Sequence, residues 1–306
     1  MLKSRVITAV ILLALLLLAL FALPVAGWIA LVILMVLQGT SEWARLAKLG
    51  GRSANMFWWA TLLMMLAMVW FDGQRSFEQQ ILPHLLVYAA SALLWLVIVP
   101  VWMMTGWKAR QPASGTEGRS PQVREEAGDG IPAPDATQRR VMPPVLMVLT
   151  GWAVLIPTGL AMLDLRAISP WLLLFVMGLV WVADISAYFA GRRFGRNKLA
   201  PSISPGKTWE GVIGAMLGVS VYVVLVWGFS PYSGHGEILP GLLLASWWWV
   251  GLAVFGDLFE SLIKRQAGVK DSGALLPGHG GLLDRIDALT STLPLAALAI
   301  LLQHLG

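Results

Sequence analysis

Apolar stretches of about 20 residues recur along the whole of this 306-residue chain. An α-helix of that length crosses a hydrocarbon core about 30 Å thick. Charged residues make up 13% of the sequence, against roughly 25% in soluble domains, so little of the chain can face water. The pattern predicts an all-α polytopic membrane protein. A transmembrane barrel would instead show short segments of alternating hydrophobicity.

The hydropathy pattern predicts nine membrane segments, with ends placed to within about 2–4 residues. They lie at 6–23, 25–40, 56–71, 81–104, 141–162, 169–190, 209–229, 239–259 and 284–304. The first two meet at Pro24, so they could be two crossings or one long kinked span. The first also follows Lys3 and Arg5 as the apolar core of a signal peptide would, but its length favours a span that is kept.

The positive charges favour two crossings for the first apolar run. If nine spans begin with the N-terminus inside, all but two of the 22 Lys and Arg residues fall in inner segments. The exceptions are Arg75 and Arg166. Inner loops of membrane proteins carry this excess, so we expect the N-terminus inside and the C-terminus outside. The same distribution explains the net charge of +5 without a nucleic-acid partner.

Residues 105–140 differ from the rest of the chain. They mix small, proline and charged residues without periodicity, and such a segment cannot bury enough apolar surface to offset its ordering entropy. We predict a flexible cytoplasmic linker here, between an N-terminal four-helix membrane region, 1–104, and a C-terminal five-helix membrane region, 141–306. The chain has no cysteine, which excludes disulfides, zinc–thiolate sites and thiol catalysis.

The polar residues that an apolar chain can least accommodate gather between 257 and 287. The acids are Asp257, Asp271, Asp284 and Asp287, and the cations are Lys264, Arg265, Lys270 and Arg285. On a helix, Asp257, Ser261 and Lys264 share one face because residues three and four apart are neighbours. The turn at 278–281, Gly-His-Gly-Gly, lets the backbone approach a ligand closely. Carboxylates facing Lys and Arg across such a turn can hold Mg²⁺ together with phosphates.

A second polar cluster runs from Ser204 to Gly211 and precedes an apolar segment. Ser204 or Thr208 can cap the helix that follows, and Glu210 suits its first turn. With Lys207 beside it, the helix N-terminus could bind an anion. The alternative is ordinary helix capping with a lysine at the membrane interface. The spacing does not match a phosphate-binding P-loop, and no β-strand is predicted before it.

Asp184 lies deep inside an apolar run, where an ionisable side chain is costly and usually marks a functional path. Two interpretations stay open for it. One is a direct role in chemistry, and the other is a buried acid hydrogen-bonded to Tyr188 or a nearby serine. Histidines near predicted outer ends, such as His84, are expected to be interface residues rather than ligands, because the sequence shows no partner for them.

Three stretches resemble the phosphatidate cytidylyltransferases, also called CDP-diacylglycerol synthases. From 261 to 287 the chain has every fixed position of the family pattern Ser-x-apolar-Lys-Arg, four residues, Lys-Asp, a small residue two further on, His-Gly-Gly and Asp-Arg-x-Asp. Residues 191–195 and 204–211 match the family stretches Gly-Arg-x-Phe-Gly and Ser-Pro-x-Lys-Thr-x-Glu-Gly in order and spacing. The family often has Lys where this chain has Gly206. A short turn at Ser41-Glu42-Trp43 also fits the family.

The resemblance implies the reaction of CTP with phosphatidate to give CDP-diacylglycerol and pyrophosphate. It also implies Mg²⁺, with a second cation left open, a homodimer, and a location in the bacterial cytoplasmic (inner) membrane. The active site would lie in the C-terminal region and face the cytoplasm. The residues suit this reaction. The lipid phosphate attacks the α-phosphorus of CTP in line, so catalysis needs positioning and charge neutralisation rather than a general base.

Roles for single residues follow from the resemblance. Asp257 and Asp284 are assigned as the principal Mg²⁺ ligands, with Asp287 as a further ligand. For the first two, the alternative is a structural ion pair with Lys264 or Arg285. The residues expected to neutralise the triphosphate and the leaving pyrophosphate are Lys264, Arg265, Lys270 and Arg285. Those expected to hold one phosphate, from CTP or from the lipid, are Ser204, Lys207 and Thr208.

The remaining predicted site residues have less defined roles. Those assigned to substrate binding are Asp184, Tyr188, Glu210 and Ser261. Asp271 and His279 are assigned to catalysis. His279 would orient the glycine turn or donate to a phosphate, and a purely structural role is the alternative.

Three other functions remain open. A CTP-dependent lipid kinase, or a synthase acting on another lipid phosphate, would share the membrane fold. The kinase would transfer the γ-phosphate of CTP to the lipid, whereas a cytidylyltransferase transfers the cytidine-bearing group. A transporter would need a path across the membrane, but the polar residues gather at one face, whereas transport sites favour the midplane. A membrane scaffold would leave the dense chemistry between 264 and 287 unexplained.

Overall fold

A computed structural model gives the fold of the chain. It describes residues 2–74, 77–108, 142–201, 203–231, 233–275 and 280–303, and the side chains within these ranges except those of residues 2–9, 74, 77–80 and 105–108. Most of the predicted linker and the predicted site residue His279 lie outside the described residues.

Within the described residues the chain forms ten α-helices and one β-hairpin. The helices are α1 (Leu2–Ala22), α2 (Val25–Leu46), α3 (Gly51–Gln74), α4 (Phe77–Leu93), α5 (Val99–Lys108), α6 (Pro144–Ile168), α7 (Pro170–Phe194), α8 (Trp209–Gly228), α9 (Leu239–Ala267) and α10 (Leu283–Gln303). A π-helical turn, Leu94–Ile98, joins α4 to α5, and a 3₁₀ turn, Gly236–Ile238, precedes α9. The hairpin pairs β1 (Lys198–Ala200) antiparallel with β2 (Ser204–Thr208).

The predicted all-α membrane fold is confirmed. Eight helical stretches within the described chain are long and apolar enough to cross a membrane, and the apolar part of α1 from Val10 to Ala22 is shorter. α1 and α2 are separate helices, interrupted at Leu23 and Pro24. Pro24 has an extended backbone (ψ 160°) and no amide hydrogen to continue a helix. Which membrane face each terminus occupies stays a prediction.

Three helices run well beyond the C-terminal ends of the predicted membrane segments, and one of them is α6, which continues to Ile168. α2 continues through Glu42 to Leu46, so the prediction of a turn at Ser41-Glu42-Trp43 is wrong. α9 continues to Ala267 and ends where Gly268 takes a left-handed conformation (φ 81°), which glycine adopts without strain. Hydropathy detects where a helix leaves the apolar layer, whereas the backbone hydrogen bonds of the helix continue into the polar region.

The largest hydrophobic core joins α2, α6 and α10 to parts of α4, α7 and α9. Two buried tryptophans of α2 bind the backbone of α6. The indole of Trp28 donates to the carbonyl of Met162 (3.3 Å), and that of Trp43 donates to the carbonyl of Met147 (2.7 Å). Helices surrounded by lipid gain little from apolar burial against each other, so close packing and such hydrogen bonds stabilise the bundle.

The β-hairpin lies between α7 and α8 and rests on α9. Ala200 and Ile203 of the hairpin pack against Leu258 of α9. The hairpin was not predicted, because neither strand has the alternation of apolar and polar residues that marks a strand in sequence. Its position brings Lys207 of β2 next to the second half of α9.

Arg166, one of the two cations expected outside, binds the backbone where α1 ends. Its Nε donates to the carbonyl of Leu20 (2.9 Å), and its Nη2 donates to the carbonyl of Leu23 (2.5 Å). The guanidinium also lies 5.0 Å from the ring centre of Trp28. The last carbonyls of a helix have no partner within the helix, so Arg166 satisfies them and joins α1 to α6.

A polar cluster joins the far ends of α3 and α6 to α4. His84 Nδ1 lies 2.8 Å from Asp164 Oδ2 and Nε2 lies 3.0 Å from Asp72 Oδ1, while the Tyr88 hydroxyl donates to Asp164 Oδ2 (2.6 Å). An imidazole donates from both nitrogens only when it is protonated, so the geometry is that of a cation between two carboxylates. The sequence does not reveal these partners of His84, because they are 12 and 80 residues away in the chain.

We expect His84→Ala to destabilise the protein by about 3 kcal/mol, because it leaves two partly buried carboxylates without the cation between them. Tyr88→Phe removes one hydrogen bond and should cost about 1 kcal/mol. Unfolding of the purified protein in detergent, followed by circular dichroism, measures both. A His84→Ala protein as stable as the wild type would contradict this account of the cluster.

Candidate active site

Asp284, in the first turn of α10, accepts hydrogen bonds from both α9 and the segment before α10. Its Oδ1 lies 2.6 Å from Lys264 Nζ. Its Oδ2 accepts from the amide of Ser272 (2.9 Å), the hydroxyl of Ser272 (3.0 Å) and the amide of Gly281 (2.8 Å). Lys264 also lies 3.3 Å from Glu260 Oε1, one turn earlier in α9. The ion pair with Lys264 that the sequence left open for Asp284 is therefore present.

Asp257 of α9 pairs with the hairpin. Its Oδ2 lies 2.6 Å from Nζ of Lys207 in β2, and its Oδ1 accepts from the hydroxyl of Ser261 (3.3 Å), one turn later. Asp257 therefore forms an ion pair with Lys207. The alternative interpretation had proposed Lys264 or Arg285 as its partner. This contact joins the second polar cluster of the sequence to the first.

Glu42 of α2 reaches the same place and is fully buried, at 0% exposure. Its Oε2 accepts from the hydroxyl of Ser272 (2.8 Å) and the amide of Leu283 (2.9 Å). Its Oε1 accepts from the amide of Leu282 (2.9 Å) and from Nε2 of Gln38 in its own helix (2.9 Å). The N-terminal helices thus contribute a carboxylate to the site.

Gly281 has no room for a side chain. A Cβ atom there would lie 2.3 Å from both Glu42 Oε2 and Ser272 Oγ. Gly280 has a positive φ of 83°, a conformation that favours glycine, and a Cβ there would lie 2.6 Å from Asp284 Oδ2. These two glycines of the predicted turn let the backbone pass between two carboxylates.

Five acids of α7, α9 and α10 form one connected group of charges, in which Glu260 interacts with both Asp284 and Asp257. Asp287 interacts electrostatically with Asp257, Glu260 and Asp184, and Asp184 interacts with Asp257 and Lys207. The three predicted metal ligands, Asp257, Asp284 and Asp287, thus belong to one connected group of charges on α9 and α10. Asp184, from the middle of α7, joins it.

The chemistry of this group suits a divalent cation, since carboxylate oxygens are the ligands that Mg²⁺ prefers. Lysine ammonium groups take one oxygen of Asp257 and one of Asp284. Among the residues with described positions, no three acidic or histidine side chains are arranged to hold one ion. Ligation by Asp257 and Asp284 would therefore require their lysines to move, and the metal assignment stays a prediction.

The other predicted residues of the second cluster connect the hairpin to α8. The hydroxyl of Thr208, the N-cap of α8, accepts from the amide of Gly211 (3.1 Å). Glu210 accepts from the amide of Asn197 (3.1 Å) and from its side chain (2.8 Å). Ser204 pairs with Ala200 in the strand. Helix capping is thus present at Thr208, while Lys207 beside it binds Asp257.

The remaining predicted residues surround this network. Arg265 Nε donates to the carbonyl of Ile203 in the hairpin (3.5 Å). The Tyr188 hydroxyl accepts from Arg192 Nη1 (2.8 Å), and within the described chain it makes no hydrogen bond to Asp184. The predicted catalytic residues that are exposed on the surface are Arg265, Lys270, Asp271 and Arg285.

The sequence matches the profile of the Cytidylyltransferase family over residues 3–303. The chain belongs to this family. It is 35% identical to the phosphatidate cytidylyltransferase of Haemophilus influenzae over 96% of each chain. It is 36% identical to that of Pseudomonas aeruginosa, over 97% of this chain and 96% of the relative. A shorter match to that of Thermotoga maritima is 41% identical and covers 40% of this chain and 46% of the relative.

The resemblance proposed from the sequence motifs is therefore confirmed. Two acids of the site in this cytidylyltransferase were nevertheless not assigned a role, Glu42 and Glu260. Both are buried, and an acid at the end of a long apolar run is itself a signal of function. Glu42 is connected to the site through Ser272, which is 230 residues away in the sequence. No local sequence pattern could therefore have indicated this contact.

We expect Gly281→Ala to displace the start of α10, because the added methyl group would overlap Glu42 and Ser272. Losing hydrogen bonds to a charged group should speed amide exchange at Leu282 and Leu283 by about tenfold or more. Hydrogen–deuterium exchange measures this. Gly206→Ala is the matched control, since nothing lies within 4 Å of a Cβ there. Equal exchange in the two variants would contradict the packing described for Gly281.

Proposed function

We propose that this protein is a phosphatidate cytidylyltransferase, which makes CDP-diacylglycerol and pyrophosphate from CTP and phosphatidate. The relatives that share 35–36% identity over nearly the whole chain carry that name. The observation that carries the proposal is the joined network of Lys207, Asp257, Lys264 and Asp284. It consists of two lysine–carboxylate pairs that α9 connects, with Asp257 and Lys264 about two helical turns apart, and a reaction between phosphates needs such paired charges.

The lysines suit the binding of negatively charged phosphates. Lys207 is next to the N-cap residue Thr208, so an anion there would meet both an ammonium group and the first amides of α8. Lys264 lies between Glu260 and Asp284. Phosphates that enter would compete with these carboxylates for the two lysines, and the exposed cations Lys270 and Arg285 could neutralise the leaving pyrophosphate.

The transfer needs orientation more than proton movement. The phosphate of phosphatidate attacks the α-phosphorus of CTP in line, a bond to the lipid oxygen forms, and the bond to the pyrophosphate oxygen breaks. Phosphatidate phosphate is a competent nucleophile near neutral pH, so no general base is required. The work of the residues is to bring together groups that carry several negative charges and to hold them in line.

We propose Asp257, Asp284 and Asp287 as the residues that would hold Mg²⁺, with Asp184 close by. The ion would supply charge neutralisation between the phosphates when bound. The excess of carboxylates over lysines in the network supports this assignment. Whether a second cation binds stays open, and a catalytic role for His279 stays a prediction from the resemblance alone.

The setting follows from the same resemblance. We propose that the protein lies in the bacterial cytoplasmic membrane as a homodimer, with its N-terminus and its active site facing the cytoplasm. CTP would then reach the site from the cytosol, and phosphatidate would enter sideways from the lipid. The excess of Lys and Arg in the predicted inner segments supports this orientation.

The direct test supplies the purified protein with phosphatidate, Mg²⁺ and CTP labelled either in the cytidine or in the γ-phosphate. We expect the cytidine label in the lipid and pyrophosphate in solution, and no turnover after divalent ions are chelated. A γ-label in the lipid would instead identify a kinase. Absence of any turnover together with solute flux into vesicles would favour a transporter.

Asp257→Asn should lower turnover by about 100-fold or more, because it removes charge where the phosphates and the metal are held. The control is Glu237→Gln, an exposed acid in the 3₁₀ turn before α9. Its turnover should equal that of the wild type. Wild-type turnover in Asp257→Asn, with the protein folded, would remove Asp257 from the site.

A further inference from the structure

Glu42 is a buried carboxylate whose hydrogen-bond partners, in the part of the chain that the structure describes, are all uncharged groups. The guanidinium of Arg45, in the same helix, lies nearby, since a Cβ on Gly273 would meet both Arg45 Nη2 (2.8 Å) and Glu42 Oε1 (3.0 Å). Burying a carboxylate is costly unless hydrogen bonds replace its water. The four hydrogen bonds that replace it come from Gln38, Ser272, Leu282 and Leu283.

Three of these four donors, Ser272, Leu282 and Leu283, are at or next to the residues whose amides Asp284 also binds. Leu282 and Leu283 present the free amides of the first turn of α10, and Ser272 lies before it. Glu42 therefore acts as a helix cap supplied by another helix, and it holds Ser272 against the same helix start. Ser272 and Gly281 are the residues whose amides donate to Asp284 Oδ2.

The Ser272 hydroxyl lies between the two acids, 2.8 Å from Glu42 Oε2 and 3.0 Å from Asp284 Oδ2. It has one proton and can donate to one of them at a time. When it donates to Glu42, Asp284 keeps the two amides and Lys264. The position of Asp284 thus depends on backbone groups whose place Glu42 determines.

We propose that Glu42 is a positioning residue for cytidylyl transfer. Glu42 holds Ser272 and residues 282–283 in position by hydrogen bonds. The amides of Ser272 and Gly281 then fix the position of the Asp284 carboxylate, and that carboxylate fixes the position of the Lys264 ammonium group. This inference rests on the proposed function. A misplacement of about 1 Å at a reacting group can cost about 100-fold in rate, so a helix that supplies no reacting group still controls the reaction.

The fold separates this role from a general structural one. α2 is attached to the core through Trp28 and Trp43, which bind the backbone of α6, whereas within the described chain the hydrogen bonds of Glu42 go to its own helix, Ser272 and the start of α10. Loss of Glu42 should leave the contact between α2 and α6 in place and release the residues around Asp284.

The experiment compares Glu42→Gln with Thr40→Val in the full-length protein. Gln keeps the size of Glu but presents an NH₂ group to donors that need an acceptor. Thr40 is equally buried, and its hydroxyl donates to the carbonyl of Val36 in the same helix, so Thr40→Val is the matched control. With CTP and phosphatidate, we expect kcat per folded molecule to fall by about 100-fold in Glu42→Gln. The KM for CTP should change less, and Thr40→Val should match the wild type.

Two further measurements separate positioning from loss of fold. The effects of Ser272→Ala and Glu42→Gln on kcat/KM should be non-additive in the double variant, since the two side chains share a hydrogen bond. Amide exchange at residues 282–283 should rise about tenfold or more in Glu42→Gln, with exchange in α6 unchanged. This measurement needs no turnover, so it tests the anchoring by Glu42 even if the proposed reaction fails.

Either of two results would overturn the inference. One is a kcat per folded molecule within twofold of the wild type in Glu42→Gln. The other is unchanged exchange at residues 282–283 in that variant. A wild-type protein that shows no cytidylyl transfer would instead count against the proposed function, and the exchange data would still report on Glu42.

Discussion

Asp284 accepts hydrogen bonds from two directions: from the ammonium group of Lys264 and from the amides of Ser272 and Gly281, with the Ser272 hydroxyl shared between Asp284 and Glu42. A carboxylate at the end of a membrane helix has little water to replace such donors. The start of α10, the segment before it and the last turns of α9 can therefore take few other relative positions. The remaining charges of the site are built around this contact.

α9 connects this contact to the rest of the bundle. On one side Phe259 packs with ring centres 5.3 Å from Trp95, 5.8 Å from Trp102 and 6.3 Å from Trp43. On the other side Asp257 and Lys264 bind β2 and α10. A stretch of eight residues thus carries both an aromatic anchor and the charges of the site, so packing and chemistry are set by one rigid helix.

Much of this architecture could be predicted from the sequence, because its cause is local. The apolar runs show where helices cross lipid, and Asp257, Ser261 and Lys264 share a face by helical spacing alone. The contacts of Lys207 with Asp257 and of Glu42 with Ser272 could not be predicted in this way. They join residues 50 and 230 positions apart, and such pairings depend on how the helices pack.

The hairpin and His84 were missed for related reasons. The residues of β2 include Pro205 and Gly206, which strands usually avoid, and they form a strand only because α7, α8 and α9 bring them against β1. The partners of His84 come from two other helices. In each case tertiary contact overrides what the neighbouring residues indicate.

The attachments of Trp28, Trp43 and Arg166 end on backbone carbonyls, at Met162, Met147, Leu20 and Leu23. A carbonyl is the same whichever amino acid carries it. These hydrogen bonds therefore do not depend on the side chain at the receiving position, although Leu20, Met147 and Met162 are themselves buried and held by packing. Outward-facing side chains of the same helices, such as Val25 and Leu146, take no part in these joints. They can change between apolar types to suit different lipids while the framework persists.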